Sequence, residues 1–172
     1  MNNDVHLELY EEIMAALVGC RRHISFKAKG MKHRNGMNEE DGWRANIEGA
    51  CGELAVAKFL NVYWDGSVDT FQSKADLMGN VEVKTRSKHN RDLLIRKNEM
   101  EDKPNEVYIL VTGVSPDFKV RGWIRSEDIR NTGEEFWKTF DDRPKAWFIP
   151  QCFLDTDWEE FRRVVEPMMA TT

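Results

Sequence analysis

Four residues in the first half of this chain have types and a spacing suited to phosphodiester chemistry. Glu53, in a predicted helix, is followed by Asp76 and then by the tripeptide Glu82-Val83-Lys84. Carboxylates are the hard oxygen ligands that Mg²⁺ and Mn²⁺ prefer, and a lysine ammonium suits a position beside a phosphate under attack. The order of these residues predicts a metal-dependent phosphodiesterase site.

The four residues can meet only if the strand that carries Glu82 and Lys84 has the right register. These two residues are two positions apart, so they share one face of a strand. A hairpin over 76–85 would bring Asp76 beside this strand. Directly paired side chains have Cβ atoms about 5 Å apart, which is close enough for two carboxylates to share a cation.

The length of the hairpin loop decides the register. A three-residue loop at 78–80 pairs Leu77 with Val81. Asp76 then lies opposite Glu82 on the same face. A two-residue loop would instead move the aspartate to the other face of the hairpin. A shared site therefore predicts the three-residue loop.

Two helices are predicted before the hairpin. Apolar residues recur at helical spacing in 4–19, with Asp4 as the N-cap and Gly19 as the stop. A second helix is expected at 43–60, and its glycines need a reason such as close packing on a sheet, since each costs about 1 kcal/mol relative to alanine. Between the helices, 20–42 is predicted to be a loop that is basic in its first part.

The rest of the chain alternates between strand and helix patterns. Strands are expected at 93–96, 107–114, 118–124 and 146–149, and helices at 134–140 and 158–165. The apolar run at 107–114 is typical of a central, buried strand. This order predicts an α/β or α+β domain with a mixed central sheet.

Composition indicates a globular protein. The 172 residues fit one domain with appendages, and 41% hydrophobic residues suffice for a core. We divide the chain into an N-terminal helix and basic loop, 1–42, and a single domain, 43–172, with its core at 43–124. The net charge of −5 argues mildly against a protein coated in nucleic acid.

The compartment is predicted from cysteines and hydropathy. The three cysteines are widely spaced and form no Cys-x-x-Cys motif, which excludes the usual zinc frameworks and a disulfide scaffold and favours a reducing cytosol. The N-terminus lacks the pattern of a signal peptide, and no apolar run approaches the roughly 18 residues of a membrane span. We therefore expect a cytoplasmic protein without membrane contact.

The stretch 49–111 resembles the PD-(D/E)xK nuclease superfamily, which includes restriction endonucleases, phage exonucleases and Holliday-junction resolvases. The matching segments are Gly49-Ala50-Cys51-Gly52-Glu53, Ala75-Asp76 and Val81-Glu82-Val83-Lys84. The resemblance implies a restriction endonuclease-like mixed β-sheet flanked by helices, with an α-β-β-β-α-β core and here an extra N-terminal helix. Ala75 replaces the family proline, which is not a ligand, and the gap from Asp76 to Glu82 is short for the family.

The resemblance also implies a role for each site residue. Asp76 and Glu82 would bind Mg²⁺ or Mn²⁺ together with the carbonyl of Val83, while Glu53 would hold a metal-bound water or a second ion. Lys84 would orient the attacking water or stabilise the phosphorane, and its pKa should rise beside carboxylates that hold no metal. The expected function is a metal-dependent DNA nuclease that leaves a 5′-phosphate, of the kind found in phages and mobile elements. A phage-encoded copy would act in the host cytoplasm.

Positive charge directly follows the predicted site. In 81–97, six cations outnumber two acids. The expected nucleic-acid contacts are Thr85, Arg86, Lys88, Arg91, Arg96 and Lys97. The basic run at 21–34 would extend this surface, although such a run is more often a solvated loop.

Other interpretations remain open at the level of sequence. A catalytically inactive nuclease fold would serve as a nucleic-acid-binding or structural and regulatory module, although all four site residues are present. A chance motif in an assembly or regulatory protein would leave Asp76 and Glu82 on opposite faces. The apolar stripe of the first helix would either dock on the domain or form a homodimer.

Overall fold

The computed structural model describes residues 2–30, 39–68, 75–102, 106–132, 134–139 and 144–169. The helices are α1 (Leu9–Ala28), α2 (Glu39–Leu60), α3 (Lys97–Asp102), α4 (Ser126–Asn131) and α5 (Trp158–Met169). The strands are β1 (Asp4–His6), β2 (Val81–Arg86), β3 (Leu93–Arg96), β4 (Val107–Val114), β5 (Asp117–Arg125), β6 (Trp137–Lys138) and β7 (Ala146–Ile149). A 3-10 turn, Gln151–Phe153, lies before α5.

The strands form two sheets. The main sheet has the order β1-β5-β4-β2, in which β2 and β4 are parallel and the other pairs are antiparallel. The small sheet has the order β3-β7-β6 and is antiparallel. The predicted mixed α/β class is therefore confirmed at this coarse level. Among the described residues, every helix is too short or too polar to cross a bilayer.

Strand β4 separates two hydrophobic cores. Val107, Ile109 and Val111 face the core that α2 covers, whereas Tyr108 and Leu110 face the second core. All five side chains are fully buried. Successive side chains of a strand point to opposite faces, so a strand buried on both faces is a continuous apolar run. The prediction of a central strand here is confirmed.

The first helix begins later than predicted. Residues 4–6 form β1, in which Val5 pairs with Phe118 of β5. Helix α1 starts at Leu9, where Glu8 and Glu11 form a capping box. The prediction of Asp4 as the N-cap was wrong because pairing with the sheet overrides the helical spacing of the apolar residues.

The first helix also ends later than predicted. Gly19 does not stop α1, which continues to Ala28 and takes in the first part of the predicted loop. Gly19 instead lies against α2, where an added Cβ would be 2.5 Å from the Cα of Ile47. The glycine therefore allows the two helices to approach closely. Of the basic run, positions 31–34 lie outside the described residues.

Helix α2 includes the predicted segment and starts four residues earlier, at Glu39. An added Cβ at Gly52 would overlap the side chain of Thr85 on β2, whereas no described atom lies within 4 Å of that position at Gly49. Close packing on the sheet was the expected reason for a mid-helix glycine, and it holds for Gly52. Because α2 begins at Glu39, the predicted boundary at residue 42 falls inside a helix.

Two further expectations were wrong, and one helix was not predicted. Residues 137–138 of the predicted helix 134–140 form β6 and pair with β7, where Trp137 and Trp147 have ring centroids 4.2 Å apart. Phe140 lies outside the described residues. Helix α5 passes the expected end at residue 165 and continues through Pro167 to Met169. Helix α3 was not predicted, since a single apolar residue, Met100, among five polar ones gives no periodic signal.

Candidate active site

A three-residue loop sets the register of the candidate site. Leu77 and Val81 form an antiparallel bridge, and each backbone N–H donates to the other's carbonyl at 3.0 Å. Met78 and Gly79 have φ values of 53° and 82°, the left-handed conformation that closes the loop. The predicted register is confirmed, although an isolated bridge takes the place of an extended hairpin. It puts residues 76 and 82 opposite each other.

Asp76 is a partly buried carboxyl five residues before β2 begins. Its Oδ2 accepts the backbone N–H of Val83 at 2.8 Å. Loss of water raises the pKa of Asp76 well above its usual range, and the charges of Glu53 and Glu82 raise it further, against the opposing effect of Lys84. Glu53 and Glu82 are thus close enough for their charges to act on the Asp76 carboxyl.

Glu53 faces this group from α2 and is held by Arg22 of α1. The guanidinium donates from Nη1 to Oε1 at 2.5 Å and from Nη2 to Oε2 at 2.8 Å. Trp64 Nε1 donates to the same Oε2 at 3.1 Å, and Arg22 Nε donates to the carbonyl of Ser67 at 2.8 Å. Burial alone would lower the pKa of Arg22, but Glu53 and the charge of Asp76 raise it. The sequence placed Arg22 in a basic loop and gave no signal for this contact.

Lys84 lies between two glutamates. Its Nζ is 3.4 Å from Glu82 Oε2 and 3.1 Å from Glu99 Oε1. Burial alone would lower the pKa of Lys84, but the charges of Glu99, Glu82 and Asp76 raise it above its usual range. The expected rise beside carboxylates is therefore present, and the lysine is a cation across the neutral pH range.

Glu99 is a site residue that the sequence analysis missed. It lies on α3, and its Oε2 accepts the backbone N–H of Arg96 at 2.8 Å while Oε1 faces Lys84. Burial would raise the pKa of Glu99, but the charge of Lys84 and the Arg96 hydrogen bond lower it. The contact joins α3 to β2, and no sequence spacing indicated it.

Glu48 is also closer to the site than expected. It was not among the predicted site residues, yet it lines a cleft of about 550 Å³ together with Lys84 and Glu99. Its Oε2 is buried and has no hydrogen-bond partner among the described residues, whereas Oε1 is 3.5 Å from Arg44 Nε. The sequence could have indicated this position, because Glu48 is four residues before Gly52 and so lies on the helix face that packs on β2.

The predicted nucleic-acid contacts gather around an adjoining cleft of about 700 Å³. Its lining includes Thr85, Arg86, Lys88, Arg91 and Arg96. Lys138 of β6 adds a cation that the sequence analysis did not assign. Lys97 is exposed at the start of α3 and is not among the lining residues. Both clefts share Thr85, Arg86 and Arg96, so the basic surface leads directly to Lys84.

The carboxylates suit a hard cation in chemistry but are engaged by protein cations. Within the described ranges, no three acidic, histidine or cysteine side chains are arranged to hold a metal ion. Arg22 binds both oxygens of Glu53, and Lys84 contacts Glu82. Asp76, Glu82 and the Val83 carbonyl supply the oxygen donors that Mg²⁺ and Mn²⁺ prefer. Glu53 fits this donor set only when Arg22 releases it.

No family model, curated protein or solved structure matches the chain. The assignment of a function therefore rests on the geometry of the two adjoining clefts and of the carboxylates beside them.

Proposed function

We propose that this protein is a divalent-metal-dependent nuclease that hydrolyses phosphodiester bonds in DNA and leaves a 5′-phosphate. The observation that carries the proposal is the bridge between Leu77 and Val81. In a regular hairpin, this register would put residues 76 and 82 on one face. A chance motif would have left the two acids on opposite faces. The raised pKa of Asp76, caused by burial and then by Glu53 and Glu82, supports the same grouping.

The order of the elements supports a PD-(D/E)xK-type core with a restriction endonuclease-like topology. Helix α2 is followed by the bridge at Leu77, by β2 and β3, by α3 and by β4. The strand with the Glu-x-Lys motif, β2, is parallel to β4, and the intervening β3 and α3 make the connection between them. This is the α-β-β-β-α-β order that the family resemblance implies, if the bridge counts as the first strand.

Each residue has a defined task in the proposed reaction. Mg²⁺ or Mn²⁺, when bound, would supply a Lewis acid for the phosphate and a bound water of lowered pKa. Asp76, Glu82 and the Val83 carbonyl would hold the ion, and Glu53 would join them after release from Arg22. Lys84, kept protonated by its glutamate neighbours, would orient the nucleophile or offset the negative charge that develops on the phosphate.

The basic cleft would bind the DNA backbone. Arg86, Lys88, Arg91 and Arg96 supply cations beside the carboxylate site, and Lys138 adds another from the small sheet. Phosphate contacts of this kind position a nucleic acid without reading its sequence, and their strength falls as salt rises. The three cysteines are free thiols, which agrees with action in a reducing cytoplasm.

A second candidate is an inactive nuclease fold that binds nucleic acid or regulates a partner. The specific observation in its favour is the bidentate pair of Arg22 with Glu53, which occupies the helix carboxylate. The two functions differ in one respect that is easy to measure. The nuclease binds Mn²⁺ and cuts DNA, whereas the inactive module binds nucleic acid and does neither.

The decisive experiment is cleavage of plasmid and single-stranded DNA with Mg²⁺ or Mn²⁺. Wild type is compared with Asp76→Ala and Lys84→Ala, and with Glu135→Ala and Lys145→Ala as exposed controls. We expect cleavage in wild type and in both controls, loss in both site variants with folding retained, and loss on addition of EDTA. Products that a DNA ligase rejoins directly carry the expected 5′-phosphate. Absence of cleavage on every DNA form, together with no Mn²⁺ binding by calorimetry, would favour the inactive module.

A further inference from the structure

The outer face of α1 is apolar and uncovered by the described residues. Six large side chains are between 48% and 73% exposed: Leu9, Tyr10, Ile13, Met14, Leu17 and Ile24. The opposite face packs on α2, and its buried residues are Glu11, Ala15, Gly19 and His23. The sequence left two possibilities for the apolar stripe of α1: docking on the domain or forming a dimer. These six side chains do not dock on the described residues of the domain.

Four of these exposed residues and the half-buried Cys20 have the spacing of a helix-packing seam. Tyr10, Ile13, Leu17, Cys20 and Ile24 follow one another at intervals of three, four, three and four. This is the a and d pattern of a coiled coil, in which each side chain inserts between four residues of a facing helix. A helix that only covers a domain would direct these apolar side chains towards the core of that domain. Here the seam points away from α2, so its geometry fits a second helix outside the domain.

We propose that a second copy of this chain packs on the seam and that the protein is a homodimer built on paired α1 helices. The six exposed side chains offer on the order of 700 Å² of surface, close to the roughly 800 Å² per partner of a standard stable interface. Patches on ordinary monomers rarely exceed about 300–600 Å². The area is therefore what a two-fold interface needs.

The composition of the seam favours a copy of itself over a charged partner. None of its five residues is charged, so an acidic or basic peptide would bury its own charges there without a counter-charge. The same a and d pattern on a two-fold mate is complementary by construction, because an isologous interface uses one patch twice. Arg21 is the exposed cation on the flank of the seam, and it can remain in water beside the contact.

Sedimentation velocity of the full chain tests the proposal, with Leu17→Glu and Ile13→Glu as interface variants. Tyr63→Glu is the matched control, because Tyr63 is an exposed apolar residue outside α1. We expect wild type and the control to sediment at twice the chain mass at micromolar concentration. Each interface variant should be a monomer with an unchanged circular dichroism spectrum, since both positions are exposed in the single chain.

A second readout uses the free thiol of Cys20, which is a seam residue. In a Cys152→Ser background, a short bismaleimide should join two chains through Cys20, and Leu17→Glu should abolish that product. A wild-type protein that is monomeric up to about 100 μM, above the dissociation constants of ordinary stable dimers, overturns the proposal. A dimer that persists in both interface variants also overturns it. A monomer whose unfolding temperature falls in Leu17→Glu shows that a segment of the same chain covers the seam instead.

Discussion

Arg22 of α1 holds both carboxylate oxygens of Glu53 on α2, at 2.5 and 2.8 Å, within the electrostatic reach of Asp76. Helix α1 thus supplies a cation to the proposed metal site. The guanidinium neutralises Glu53, as a bound metal ion would. Binding of an ion there and retention of the ion pair are therefore competing states.

The first prediction concerns this competition. Arg22→Met leaves the buried Glu53 without its cation. We expect a loss of about 3 kcal/mol in unfolding free energy in EDTA, the lower end of the 3–5 kcal/mol range for breaking a buried pair, because Arg22 itself is partly exposed. Mn²⁺ should restore more stability to the variant than to wild type, because the freed carboxylate can join the ion. Thermal unfolding with EDTA and with Mn²⁺ measures both effects. Arg162→Met, an exposed helix position, is the control, and equal Mn²⁺ shifts in all three proteins would contradict the competition.

The second prediction concerns the raised pKa of Asp76. The folded chain keeps the Asp76 proton to a higher pH than the unfolded chain, so the stability contributed by this group falls as pH rises from about 4, the unfolded value, to the folded pKa. Asp76→Asn cannot ionise and keeps an oxygen that can accept the Val83 N–H. In EDTA at neutral pH, we expect its unfolding temperature to exceed that of wild type by a few degrees, with a smaller gap at pH 4.

The same variant should lose the stabilisation that Mn²⁺ gives to wild type, because an amide is a weaker ligand than a carboxylate. The measurement is the unfolding temperature of wild type and of Asp76→Asn across the pH range, in EDTA and in Mn²⁺. Glu135→Gln is the exposed control. An Asp76→Asn protein that is less stable than wild type at neutral pH would mean that the ionised carboxylate is stabilising and that its pKa is not raised.

The third prediction assigns a positioning role to Glu99. Glu99→Gln can still accept the Arg96 N–H, so α3 should remain folded, but the side chain no longer attracts the Lys84 ammonium. We expect kcat for DNA cleavage to fall at least roughly tenfold, the scale of a small misplacement of a catalytic group. KM should not rise, because the change removes a negative charge from the cleft. Steady-state kinetics beside Glu159→Gln, an exposed control, measure the two constants; an unchanged kcat would exclude the role.

The fourth prediction compares two glycines of one helix. Gly52→Ala forces a Cβ into Thr85 and should cost about 1–3 kcal/mol through overpacking. Gly49→Ala meets open space, so a better helix former should stabilise the protein by about 0.5–1 kcal/mol. Urea unfolding measures both changes. Thr85→Ala should rescue part of the Gly52→Ala loss in a double-mutant cycle, and additive losses would mean that the two side chains do not meet.

Local sequence signals predicted the parts of this fold that local physics controls. The loop length from Leu77 to Val81 follows from the side-chain period of two and the requirement that Asp76 and Glu82 share a face. The apolar run of β4 indicates burial on both faces, and Gly52 marks the contact of α2 with β2. In each case the sequence of one element and its immediate neighbour is enough to predict the feature.

The tertiary structure decided what depends on contacts between distant elements. The pairs Arg22–Glu53 and Lys84–Glu99 join different helices and strands, and charged residues carry no periodic pattern that would reveal their partners. The sequence also did not predict that the α1 seam faces outwards, because helical spacing defines an apolar face but not whether that face points towards the domain or away from it. Gly19 marks that direction: α1 approaches α2 so closely at this point that a side chain would meet the backbone of Ile47, and the large apolar side chains lie on the other face.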